Sequence, residues 1–330
     1  MSELNNNETL EVAEPAQNES SSLASNVMHE QNMNTVSKKQ VVGKVFSQIG
    51  LYLFLGLMAF VVIFPFLWMV GTSLKHKPEY YDENLELILF PSGKRDFLNF
   101  AEVFTEKGLE VFFFNTLIVG VASTLMSLVI TVLSAFALAR LEFKGKGAFF
   151  ALLLATMMIP GELFTITNYK TYTVFGWDYQ PDNAVGGMNA FLTLTIPFLV
   201  SVFYIYLLRQ NFMQIPNELY LAAKIDGTTD FKYLLKVMIP LAMPTLISIT
   251  ILKMMGAWNT YMWPKLTITN DKFNLITVGL REMDAGADVR EPDIPLQMAA
   301  VTLVSLPLFM VFIFLRKYIM HGVSRSGIKG

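Results

Sequence analysis

Hydrophobic and polar positions in this chain segregate into long blocks rather than alternating residue by residue. Six apolar runs lie near 49–72, 112–139, 148–166, 189–208, 239–262 and 296–316. Each is about the length, ~20 helical residues, that crosses a bilayer. The second is the longest and has room to tilt or to extend past the lipid. The third is broken by Pro160-Gly161, and the fifth carries Pro240 and Pro244 at its start, where a first helical turn tolerates proline. The pattern predicts an all-α polytopic membrane protein with six transmembrane helices.

The most informative polar interruption separates the fourth and fifth runs. From Ile215 to Gly227 it reads as a short helix, with Pro216 and Asn217 as start signals and Gly227 as a stop without a Cβ penalty. A helix of about ten residues does not hold itself together in water, so this one leans on something else. A second short helix is predicted after it, started by Thr228, Thr229 and Asp230 and given an apolar face by Phe231, Leu234 and Leu235.

Composition agrees with a membrane protein: 53% of residues are hydrophobic and 16% charged, against roughly a quarter charged in soluble domains. The distribution of charge says more than the net −2. Arg140, Lys144 and Lys146 follow the second run, Arg209, Lys224, Lys232 and Lys236 follow the fourth, and Arg316, Lys317, Arg325 and Lys329 follow the sixth. The segments 73–111, 167–188 and 263–295 together hold ten basic against sixteen acidic residues. The positive-inside rule therefore predicts cytoplasmic termini and a cytoplasmic 209–238 loop. Residues 1–40 form a separate cytoplasmic tail, polar and expected to be disordered, ahead of a membrane domain over 41–330.

Candidate chemistry is sparse. There is no cysteine, and His29, His76 and His321 have no ligand spacing, so neither a metal site nor a catalytic residue is expected. Nothing matches the phosphate-binding pattern Gly-x4-Gly-Lys-Ser/Thr, so any ATP is hydrolysed by another subunit. Two ionisable residues, Glu162 and Lys253, fall inside apolar runs, where charge is costly and marks a functional candidate. The plainer reading is that they lie near the outer ends of their helices, with Lys253 snorkelling to the surface. Trp258, Tyr261 and Trp263 read as an interfacial aromatic belt rather than a sugar platform.

Ala222-Ala223, then Gly227, then Val237-x-Ile239-Pro240 resembles the EAA loop of ABC importer permeases, with the spacing intact throughout. Leu221 stands where that motif has an acidic residue, and Glu218, three residues earlier, is the nearest substitute. Asn115-Thr116-Leu117, Ala137-Leu138-Ala139-Arg140, Met158-Ile159-Pro160, Trp258-Asn259 and Gly322-x5-Gly327-Ile328-Lys329-Gly330 resemble the carbohydrate-uptake branch, and in particular the second permease of maltose-type transporters.

The resemblance implies a type I importer permease in a bacterial or archaeal inner membrane, moving a sugar, specifically an oligosaccharide. It implies a coupling helix seated in an ATPase groove, with Glu218, Leu221, Ala222, Ala223, Asp226, Gly227 and Pro240 as the coupling set. Ser326, Gly327 and Lys329 would touch the ATPases from the C-terminal tail, and Glu162, Lys253, Trp258 and Asn259 are the candidates for the substrate path. The implied partners are a second permease, two ATPase subunits that hold ATP and Mg, and an extracellular solute-binding protein; no nucleic acid is expected. A glycerol-phosphate-type solute is the alternative cargo, for which Lys253 is the one internal cation. An ion-coupled carrier, which would show inverted repeats and charged relays, is the alternative from another class.

Overall fold

In chain order the helices that position the candidate sites are α1 (Lys38–Ser73), α2 (Leu109–Arg140), α3 (Lys146–Thr156), α4 (Phe164–Val174), α5 (Ala184–Thr195), α6 (Val202–Gln214), α7 (Asn217–Ile225), α8 (Met243–Trp258), α9 (Ile276–Ala285) and α10 (Ile294–Ser324). The computed structural model describes residues 38–82, 89–91, 97–106, 108–285 and 292–324. Of the tail expected over 1–40, residues 38–40 already belong to α1, while residues 1–37, like Ser326, Gly327 and Lys329, lie outside the described residues.

Among the described residues, three helices are long and apolar enough to cross a membrane unbroken: α1 from Phe46, α2, and α10 as far as Phe314. The other three predicted spans are bent pairs. Lys146–Thr156 and Gly161–Val174 meet at 84°, Ala184–Phe198 and Val202–Gln214 at 51°, and Asp230–Leu241 and Met243–Trp258 at 80°. Pro160-Gly161 accounts for the first bend, as its sequence predicts. The second lies at residues 199–201, just past Pro197, in a run expected to be continuous. At the third, Pro240 and Pro244 each occupy the first turn of a helix, as expected, but those helices are distinct and part at Ala242.

The chain divides into two units, residues 1–66 and 67–330. In the first, residues 46–66 of α1 are exposed on every face. A helix that is apolar all round belongs in lipid or against other membrane helices. In the second unit, α2 packs along α6 and α8, and α8 also packs on α10. The buried face of α2 carries Thr116, Gly120, Ser123, Thr124, Ser127 and Thr131, small residues at helical spacing that let neighbouring backbones come close. A Cβ at Gly120 would sit 3.1 Å from the Met254 sulfur.

Polar side chains tie the loops at one end of this bundle together. Gln180 donates to the carbonyls of Trp177 and Thr267 and accepts from the Thr269 amide, while Asn115 donates to the carbonyls of Lys272 and Asn274. The Thr116 hydroxyl accepts from the Ile276 amide at 2.8 Å. The Asn115-Thr116 pair is thus a clasp on the 272–276 segment, a role its sequence context did not reveal.

Asn183 caps α5 by accepting from the amides of Val185 and Gly186. A Cβ at Gly186 would lie 1.8 Å from the Pro181 carbonyl oxygen. Backbone cannot yield there as a side chain would. Gly186→Ala is therefore expected to cost on the order of 3 kcal/mol, read as a lower melting temperature of the purified protein in detergent. An unchanged melting temperature would show that the turn relaxes freely.

Candidate coupling site and internal cavity

The 215–227 segment folds as its sequence predicts. α7 runs from Asn217 to Ile225 behind Pro216, and Gly227 has φ +69°. The Gly227 amide donates to the Lys224 carbonyl at 3.1 Å and the Thr228 amide to the Ala223 carbonyl at 2.8 Å. This pair of bonds is a Schellman ending, which needs a left-handed residue where Gly227 stands. Next, Thr229 accepts from the Lys232 amide and starts the helix Asp230–Tyr233, as expected. The following residues, Leu234–Met238, form a π-helical turn that hydrophobic spacing did not signal.

Two faces of α7 have different surroundings. Tyr220 and Ala223 pack on a buried cluster that includes Phe212, Tyr233, Leu234 and Met238. The Tyr220 hydroxyl donates to the Asp230 carboxylate at 2.7 Å, and Lys224 forms an ion pair with the same carboxylate at 2.7 Å. That carboxylate holds the Lys224 ammonium above the ordinary lysine range. Burial, and then Asp230, push the Tyr220 phenol up as well. The opposite face is apolar and open: Leu221 is 54% exposed, Ile225 87% and, just beyond, Phe231 61%. Glu218, Ala222, Asp226 and Gly227 are exposed too. The paired alanines therefore divide their work, Ala223 seating α7 on its own bundle while Ala222 stays on the open side.

Basic residues that the sequence offers chiefly as topology markers tie this end of the bundle together, and one of them, Arg140, reaches α7. Arg140, the last residue of α2, donates through its terminal nitrogens to the carbonyls of Phe212 and Ile215 and, at 3.2 Å, to the Asn217 side chain. Arg209 donates to the Leu138 carbonyl at 3.1 Å and lies 4.0 Å over the Phe150 ring. Lys146 donates to the carbonyls of Leu141, at 2.9 Å, and Ala139. Helix C-termini leave carbonyls without partners and favour cations, so the Arg209 and Lys146 bonds close the end of α2 while Arg140 ties it to the end of α6 and the start of α7. Asn217 thereby receives Arg140 instead of capping the helix.

The four residues proposed for the substrate path do not come together. Lys253 lines a cavity of about 380 Å³, bounded by α2, the 194–204 segment, α8 and Trp263. Its ammonium donates to the Phe198 carbonyl, not to Glu162. Glu162 is exposed at the α3–α4 bend and does not line that cavity. Trp258 is 2% exposed, with its indole N–H on the Val304 carbonyl at 3.1 Å. Asn259 bonds back to the Met255 carbonyl of its own helix. The aromatic belt is corrected likewise: Trp258 and Trp263 are core residues, and the Trp263 indole donates to the Thr193 carbonyl at 3.0 Å. Helical periodicity near a span end does not separate an inward tryptophan from a lipid-facing one.

Comparison with known proteins agrees with this architecture. The family model described as binding-protein-dependent transport system inner membrane component matches residues 123–325. The arabinooligosaccharides transport system permease protein AraQ of Halalkalibacterium halodurans is 30% identical over 82% of this chain and 93% of its own length. The sn-glycerol-3-phosphate transport system permease protein UgpE of Rhizobium meliloti is 27% identical over 78% of this chain and 90% of its own. Among solved structures, a chain of a bacterial ABC transporter involved in the import of the acidic polysaccharide alginate superposes with a TM-score of 0.71. It is 23% identical and covers 86% of this chain and 98% of that one. With an EAA-spaced loop held as an anchored helix in a bundle of apolar helices, this chain belongs to the family of binding-protein-dependent transport system inner membrane components, the multi-pass permeases of ABC importers.

Proposed function

We propose that this chain translocates a carbohydrate, delivered by an extracellular binding protein, and that α7 receives the driving motion from a cytoplasmic ATPase. The observation that carries the reading is the two-sided character of α7. One face is fixed to the bundle through Tyr220, Ala223 and Arg140, while the other offers Leu221, Ala222 and Ile225 to a partner. A short helix built this way moves α2 and α6 when it is itself moved. An apolar face is also consistent with Leu221 at the position where the motif has an acid, and Glu218 remains available beside it as a polar contact.

Six spans with both termini in the cytoplasm fit this arrangement when each bent pair counts as one crossing. Sugar transport by the AraQ relative supports a saccharide cargo, and the UgpE relative supports a phosphorylated polyol as the other reading. Alternating access would then be a population shift, in which ATP binding favours the conformation that brings two such helices together. The test is reconstitution of the chain with its partner permease, ATPase subunits and binding protein in liposomes. ATP-dependent uptake of a saccharide that ceases without the binding protein is expected. Uptake driven by an ion gradient without ATP would contradict the reading.

A further inference from the structure

The cavity beside Lys253 has a charge character that the importer reading leaves unassigned. One face of α8, Lys253, Gly256 and Ala257, with Thr260 just beyond its end, forms part of the wall at helical spacing. A Cβ at Gly256 would meet nothing within 4 Å, so the space beside this stretch of the wall is open. Opposite lies the break between α5 and α6, where residues 199–201 are non-helical. Irregular backbone within membrane helices is tolerated where it lines a cavity, and there it meets ligands.

Lys253 reaches this break and donates to the Phe198 carbonyl, but no carboxylate partners it among the described residues. A half-buried ammonium held only by a neutral carbonyl is an incomplete ion pair, and low dielectric makes it costly. The N-terminus of α6 starts at the same place, where Ser201 makes no side-chain cap, so its partial positive charge has the same sign. The remainder of the lining is apolar except for Ser123, Ser201, Tyr204, Thr260 and Trp263. These are groups that hydrogen-bond and stack on a polyol or sugar.

We propose that this cavity is a subsite for an anionic carbohydrate, a saccharide or polyol bearing a carboxylate or phosphate, whose acidic group takes the Lys253 ammonium from the Phe198 carbonyl. The inference rests on the importer reading and narrows its cargo. A charged hydrogen bond of this kind contributes roughly tenfold to a hundredfold in affinity.

The test is the tryptophan fluorescence of the assembled transporter in detergent without its binding protein, titrated with digalacturonate, glycerol 3-phosphate and neutral galactobiose. At least one acidic probe is expected to bind at least about tenfold more tightly than galactobiose, and which one does so separates carboxylate from phosphate. Lys253→Met should weaken that probe by a similar factor, while Lys253→Arg, which keeps the charge, should retain most of the binding. Equal binding of galactobiose, equal binding by the Lys253→Met complex, or no binding of either acid overturns the assignment. Binding-protein-stimulated ATP hydrolysis by the wild-type complex is measured alongside. If it persists while the anion preference fails, only the cargo assignment falls; if it is absent, the importer reading falls as well.

Discussion

Replacing Gly227 with proline should leave the chain inserted in the membrane but remove the stimulation of ATP hydrolysis by substrate-loaded binding protein. Gly227 sits at φ +69°, whereas a proline ring fixes φ near −65°. The substitution also deletes the amide that donates to the Lys224 carbonyl. A local cost of about 3 kcal/mol lowers the population of the intact turn roughly a hundredfold. The Thr228 to Ala223 bond and the approach of Asp230 to Tyr220 and Lys224 depend on that same turn. The measurement is ATPase activity of the reconstituted complex with and without loaded binding protein. Stimulation at the wild-type level would show that the ending of α7 has no part in transmission.

The second large effect is expected at Arg140. Its guanidinium bonds two carbonyls, Phe212 and Ile215, and the Asn217 side chain, bridging the end of α2 to the start of α7. Each charge-assisted bond contributes about 1.5–3 kcal/mol, and removing one side leaves the carbonyls short of partners. Arg140→Met should therefore raise amide hydrogen exchange across residues 212–227 and reduce coupled ATPase stimulation, with α2 itself still helical by circular dichroism. Arg140→Lys should restore one bond but not the fork, giving an intermediate exchange rate. Unchanged exchange in the Arg140→Met chain would remove the clamp from the account.

These two residues show how unevenly function could be read from the sequence. Pro216, Gly227 and Thr229 determine their own local geometry, so the short helix and its ending were legible residue by residue. Apolar runs were legible because lipid demands length. The bend at residues 199–201 was not, because helix breaks depend on what neighbouring helices offer the freed backbone, and here Lys253 supplies the donor. Arg209 and Lys146 entered only as a charge count, and Arg140 as a charge and the end of a motif, although these side chains reach residues as many as 77 positions away. Trp258 and Trp263 carried a polar handle suited equally to a lipid interface and to a core carbonyl, and the choice was made by Val304 and Thr193. Contacts between distant segments were the illegible part.

The central claim, that the open face of α7 is where the ATPase engages, is tested most directly by photocrosslinking. A benzophenone side chain placed at Ile225, which is 87% exposed, samples whatever that face meets. Illumination of the assembled transporter should give a covalent product with the ATPase subunit, in a yield that changes between nucleotide-free and ATP-analogue-bound states. The same probe at Ala223, which packs on the bundle, should give far less. An intact complex in which position 225 crosslinks only to lipid, or to a subunit other than the ATPase, would contradict the account.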